Sequence, residues 1–119
     1  MNLDADIALA MRLADAAGDA IRPWFRTQIG EEFGSTAGTS NRSWVLDPID
    51  GTAGFLAGRP MFGTLIALVV EGWPVLGVID QPILKERWLG ASGRATTLNG
   101  QPARTRVCRN LEEATLATT

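Results

Sequence analysis

A chain of 119 residues, 45% hydrophobic and 20% charged, has the composition of one small soluble globular domain with a modest core and is too short for a second. A net charge of −2 argues against nucleic acid or a membrane surface as partner. With no histidine and one cysteine, Cys108, there is no internal disulfide, no Cys/His zinc site and no imidazole-based catalysis, which leaves carboxylate, hydroxyl and metal for any chemistry.

Apolar and small residues recur at helical spacing from about Asp4 to Phe25, namely Ile7, Ala10, Met11, Ala14, Ala17, Gly18, Ile21 and Phe25. Asn2 or Asp4 caps the start, and Pro23 kinks or ends the helix. The small residues allow another element to approach closely, which is a packing role. The first residues lack a basic segment followed by an apolar core, and no stretch has bilayer-spanning length, so a cytoplasmic location without membrane contact is expected. Residues 34–41 are small, polar and aperiodic, and read as a surface loop.

The stretch Trp44-Val45-Leu46-Asp47-Pro48-Ile49-Asp50-Gly51-Thr52 is the densest in chemistry. It reads as a short buried strand that delivers Asp47 to its end, where Pro48 turns the backbone out of the sheet. Asp47 and Asp50 then stand three residues apart on a bent loop. Gly51 permits close approach of a ligand, and Thr52 opens a short helix with free N–H groups. Mg²⁺ takes oxygen ligands at about 2.0–2.1 Å from one or two carboxylates, waters and phosphate oxygens. Asp47, Asp50 and the Ile49 carbonyl could supply such a set. Asp-Pro and Asp-Gly are equally ordinary turn dipeptides, so both readings stand on these residues alone.

Thr52–Ala57 reads as a short helix broken by Gly58-Arg59-Pro60. Phe62–Val70 and Trp73–Asp80 read as strands joined at Glu71-Gly72, with Gly77 marking a close approach or bulge. Arg87–Ala91 and Arg94–Leu98 follow, and Asn99-Gly100 is the strongest hairpin turn. The short connections predict an antiparallel meander. Asp80 reads as a turn or surface residue, and Glu112-Glu113 as solvated. Arg104, Arg106 and Arg109 form a solvated basic tail. Trp24, Trp44, Trp73 and Trp88 are expected in core or interface packing.

The run WVLDPIDGTAGF, Trp44 to Phe55, resembles the signature of the inositol monophosphatase family of Mg²⁺-dependent phosphomonoesterases, and Gly30-Glu31-Glu32 resembles its upstream metal motif. Phe62–Ala91, above all GVIDQPILKERWLG, is similar to the bacterial histidinol-phosphatase branch. The resemblance implies an α+β fold, the N-terminal part of a layered αβαβα sugar-phosphatase, with a long helix packed on an antiparallel sheet. It divides a single partial domain, 1–119, into a helix over 1–26, metal and phosphate motifs over 30–57, and a sheet over 62–105. Glu31, Asp47, Asp50 and the Ile49 carbonyl match the metal ligands. Ile49, Asp50, Gly51 and Thr52 match the substrate-binding turn, and Glu31 and Thr52 the groups beside the attacking water. A small phosphate monoester is the implied partner, Mg²⁺ the cofactor, and a homodimer a possible assembly.

The same resemblance exposes departures. Only Thr27-Gln28-Ile29 separate the helix end from Gly30, where the family carries a hairpin, a Thr-Asp element and a second helix. The family's second half, with a further metal-binding Asp and most of the alcohol-recognition surface, lies beyond this chain. Ala53 and Gly54 replace bulkier residues. Three readings follow: a phosphatase, with L-histidinol phosphate favoured over inositol 1-phosphate; a non-catalytic remnant that still binds Mg²⁺ or phosphate; or a shortened product that does not fold stably. Whether the chain acts as an enzyme by itself is left open.

Overall fold

In the computed structural model, residues 1–25 and 40–118 are described. Helix α1 spans Asp4–Ile21. The Asn2 side chain accepts the Asp4 N–H at 2.9 Å, one of the donors that a helix start leaves without a carbonyl. Pro23 then lies in a single 3-10 turn, Arg22–Trp24, in place of a further α-turn.

Among the described residues six strands follow, β1 Arg42–Asp50, β2 Gly63–Val70, β3 Trp73–Gln81, β4 Glu86–Ala91, β5 Thr97–Leu98 and β6 Gln101–Pro102, with the five-residue helix α2, Thr52–Leu56, between β1 and β2. They form one sheet in chain order, every pair antiparallel. The expected meander is present and gains β1 as an edge. Two tight turns carry successive positive φ values, Glu71 at 52° with Gly72 at 82°, and Asn99 at 49° with Gly100 at 78°. Such pairs match the right-handed twist of hairpin strands.

Helix α1 packs on β2 and β3. Ala10 and Ala14 have no exposed surface and meet Ile66, Leu68, Leu76 and Val78 in the main core. Gly18 allows the turn after β3 to approach, since a Cβ there would stand 3.2 Å from the Pro82 Cβ. Directly opposed residues share a sheet face. Leu46, Ile66, Val78 and Leu89 therefore face α1, while Leu65, Ile79 and Trp88 lie on the opposite face.

Several expectations are corrected. Trp44-Val45-Leu46 is not a buried run. It lies in the edge strand, outside the strands that α1 covers, and Val45 and Leu46 are 55% and 53% exposed. Of the core or interface packing expected for the tryptophans, the core half fails for two: Trp73 is exposed at the start of β3, and Trp88 is partly exposed on the face away from α1, whereas Trp44 packs against the main core. A Cβ on Gly77 would meet nothing within 4 Å, and the irregularity of the β2–β3 pair falls near Pro74 instead. The strand expected from Arg94 begins at Thr97, because the Arg94 N–H turns back to the Ala91 carbonyl and its guanidinium reaches Asp4.

Asp80 is no surface residue: it is 4% exposed, and Arg87 Nε donates to it at 2.7 Å. Arg87 Nη1 also donates to Asp15 of α1 at 2.8 Å, so one guanidinium ties the helix to the sheet. Burial alone would lower the Arg87 pKa. The hydrogen bonds and charges of Asp80 and Asp15 outweigh it, and the pKa is raised.

Candidate metal and phosphate site

The β1–β2 pair is regular from Arg42 opposite Val70 to Asp47 opposite Leu65, and the next pairing is Asp50 opposite Gly63. Pro48 and Ile49 therefore face the single residue Thr64, which is a β-bulge. Pro48 does not expel the strand from the sheet as expected. It is accommodated because β1 is an edge strand and the bulge spares the missing N–H.

The bulge has a direct consequence for the two carboxylates. In a regular strand residues three apart point to opposite faces, because the side-chain period is two. Here Asp47 and Asp50 oppose Leu65 and Gly63, which are two apart, so both carboxylates fall on the face away from α1. Asp47 is half-buried and Asp50 exposed. Among the described residues neither carboxylate has an ion-pair or side-chain hydrogen-bond partner. Two carboxylates on one face, made of hard oxygen donors, suit a hard cation such as Mg²⁺.

Ile49 turns its side chain inward to Phe55, Phe62 and Ile21 and offers its carbonyl to the loop, where it accepts the Thr52 hydroxyl at 3.1 Å. Phe25, Phe55 and Phe62 form a ring cluster with centroids 4.9–5.7 Å apart, and Phe55 is fully buried. Burying a phenylalanine contributes about 1.5–3 kcal/mol, enough to hold a five-residue helix that would not persist alone. Gly51 has φ 82°, and Cβ atoms at Gly51 and Gly54 would lie 2.7 and 2.5 Å from the Met61 carbonyl oxygen. The turn thus needs glycine at both positions, and Gly54 in particular is a close-packing residue.

Two supporting residues escaped the sequence reading. Thr64, 2% exposed, donates its hydroxyl to the Pro48 carbonyl at 2.9 Å. Gln81 donates to the carbonyls of Pro60 and Phe62, both at 3.1 Å, and accepts the N–H groups of Ile83 and Leu84 at 2.6 and 3.0 Å. Their signal was faint, a lone hydroxyl in an apolar strand and an amide just before a proline.

Asp47, Ile49, Asp50, Gly51 and Thr52 are brought together, whereas Glu31 and the whole Gly30-Glu31-Glu32 motif lie outside the described residues. Among the described residues no cluster of three or more His, Cys, Asp or Glu could hold a metal, and no helix is long and apolar enough to cross a membrane. A cavity of about 300 Å³ between α1 and β3–β5 contains none of the candidate residues. Its arginines are already engaged, Arg87 with Asp80 and Asp15 and Arg22 with Asp19.

Comparison with known proteins places the chain. The profile of the inositol monophosphatase family matches residues 5–119. The bifunctional phosphatase IMPL2, chloroplastic, of Arabidopsis thaliana is 42% identical over 155 residues, covering 98% of this chain and 45% of the plant protein. Because that alignment is longer than the chain, about three dozen plant positions face a gap, as an internally shortened chain requires. A histidinol-phosphatase of Mycobacterium tuberculosis is 40% identical over 76% of this chain and 32% of its own length. The structure of an inositol monophosphatase from Zymomonas mobilis superposes with a TM-score of 0.82 at 41% identity, over 91% of this chain and 55% of that one. The chain spans about a third to just over half of these relatives, and its helix on a six-stranded antiparallel sheet is the part of their fold that it shares. By the match across nearly its whole length, the chain belongs to the inositol monophosphatase family.

Proposed function

We propose that this chain serves the Mg²⁺-dependent hydrolysis of phosphate monoesters, as a single partial domain that carries the metal and phosphate side of the site. The observation that carries the reading is the pair of carboxylates Asp47 and Asp50, without a partner among the described residues, placed on one face by the β1 bulge and followed at once by the Gly51-Thr52 turn. Asp47, Asp50 and the Ile49 carbonyl would hold the metal, with Glu31 as a further ligand. Bound there, Mg²⁺ would neutralise phosphate charge and make a nearby water more acidic. The Ile49 oxygen has two lone pairs, so accepting the Thr52 hydroxyl leaves one for a cation.

Because the Thr52 proton is donated to Ile49, its oxygen keeps acceptor capacity toward the attacking water, a role that the family resemblance also gives to Glu31. In the reaction the water oxygen bonds to phosphorus, the ester P–O bond breaks in line, and the alcohol leaves with a proton. No phosphoenzyme forms. L-Histidinol phosphate is the favoured substrate, supported by the run Gly77–Gly90 and by the likeness to the mycobacterial histidinol-phosphatase. Inositol 1-phosphate is second, supported by the likeness to the Zymomonas enzyme. A cytoplasmic setting and a homodimer belong to the same proposal.

The test is phosphate release from both esters by the purified chain with Mg²⁺ titrated in, beside Asp47→Asn. Slow Mg²⁺-dependent release, faster from histidinol phosphate and lost in the variant, is expected. A second reading, a remnant that binds without turnover, is favoured by the roughly three dozen plant positions that face a gap within this chain. Mg²⁺ binding that needs Asp47 but yields no phosphate would decide for it. Neither binding nor release would overturn both readings.

A further inference from the structure

The hydroxyl of Thr64 is a buried polar group that the core itself does not require. Thr64 lies on the α1-facing side of β2, opposite Asp80 of β3, and Asp80 is already held by Arg87. A valine would fill the same space. The hydroxyl instead reaches across to β1 and donates to the Pro48 carbonyl, at the position where Pro48 and Ile49 together face Thr64. The next carbonyl along, that of Ile49, accepts the Thr52 hydroxyl. Two successive peptide planes of the bulge are therefore each fixed by a threonine, one from the neighbouring strand and one from the following helix. They are two of the three peptide planes between Asp47 and Asp50, and their orientation helps decide whether both carboxylates stay on one face.

We infer that Thr64 is a positioning residue for a divalent-cation site: its bond to Pro48 holds the bulge that aims the Asp47 and Asp50 carboxylates at one ion. This rests on the metal reading proposed above. The bond is a single part-buried one to an exposed residue of the edge strand, so removing the hydroxyl should disturb the aim of the carboxylates more than the stability of the fold. Groups that orient metal ligands from behind typically change metal affinity by about 10–100-fold when removed.

The experiment titrates the full chain with Mn²⁺, as a spectroscopic substitute for Mg²⁺, and follows free Mn²⁺ by electron paramagnetic resonance; thermal unfolding is recorded for each protein. Thr64→Val is expected to bind Mn²⁺ about tenfold or more weakly with a melting temperature close to that of the wild type. Thr64→Ser, which keeps the hydroxyl and loses a buried methyl, is expected to lose some stability and keep wild-type affinity. Should Thr64→Val not fold, Thr64→Ser decides alone: retained affinity at reduced stability supports the inference, and lost affinity overturns it. Wild-type affinity in Thr64→Val, with Asp47→Asn unable to bind, overturns this inference and leaves the metal reading standing. A wild-type chain that takes up no Mn²⁺ overturns both.

Discussion

Arg87 shows how much one side chain carries in a chain this small. Its guanidinium joins Asp15 of α1 to Asp80 of β3, with side-chain exposures of 19% for Arg87 and 6% for Asp80. Replacing it by methionine leaves Asp80 buried without its counter-charge. Arg87→Met is expected to cost about 2–3 kcal/mol in urea unfolding, below the range for fully buried pairs because Arg87 keeps some solvent contact. The raised Arg87 pKa means that folding favours its charged form. That contribution is complete below the unfolded pKa and is lost only as pH rises through the higher folded value, so the clamp does not weaken anywhere near neutral pH. Asp47→Asn acts differently. Asp47 pairs with no described cation, so the substitution should leave the melting temperature nearly unchanged while removing Mg²⁺ uptake, which calorimetry on the same sample would separate.

The candidate site at the scale of elements is a strand end, a five-residue helix and the loop that underlies them. Helix α2 rests on the Met61 backbone through Gly51 and Gly54, and Gln81 holds the carbonyls on either side of Met61. A methyl at Gly54 cannot be absorbed by a rotamer change, since the atom it meets is backbone. Gly54→Ala is expected to cost about 1–3 kcal/mol in denaturant unfolding and to shift the amide resonances of Gly51 and Thr52. The departure Ala53-Gly54 from the bulkier family pattern thus has a packing reason at its second position. For Ala53, which is exposed, the structure offers none.

For the whole molecule the main feature is the face of the sheet turned away from α1. Asp47, Leu65, Ile79, Trp88 and Leu98 form one register row and Val45, Ala67, Gly77 and Gly90 the next, with Val45 55%, Ile79 53% and Trp88 37% exposed. Apolar surface this continuous drives association and dye binding in water. Val45→Lys with Ile79→Lys is expected to lower both the fluorescence of bound anilinonaphthalene sulfonate and the apparent mass by light scattering, with little loss of stability because neither side chain is in the core. The relatives carry roughly as much chain again, or more, beyond the part matched here. The candidate carboxylates lie along the same open face, so association there would also change the surroundings of the site.

Local chemistry made much of this protein legible in its sequence. Helical periodicity, Pro23, the Glu71-Gly72 and Asn99-Gly100 turns and the short connections specify α1 and an antiparallel meander, because each is set within a few residues of backbone. The Asp47–Thr52 stretch and its family were readable for the same reason. Tertiary pairing alone decided the rest. Whether Val45 and Leu46 are buried depends on which strands α1 covers. Asp80 is buried because a cation seven residues later returns on the neighbouring strand. Residues three apart in a strand belong on opposite faces, and only the two-against-one pairing at Thr64 brings Asp47 and Asp50 to the same one. That register belongs to two strands at once, so it cannot be read from either strand alone.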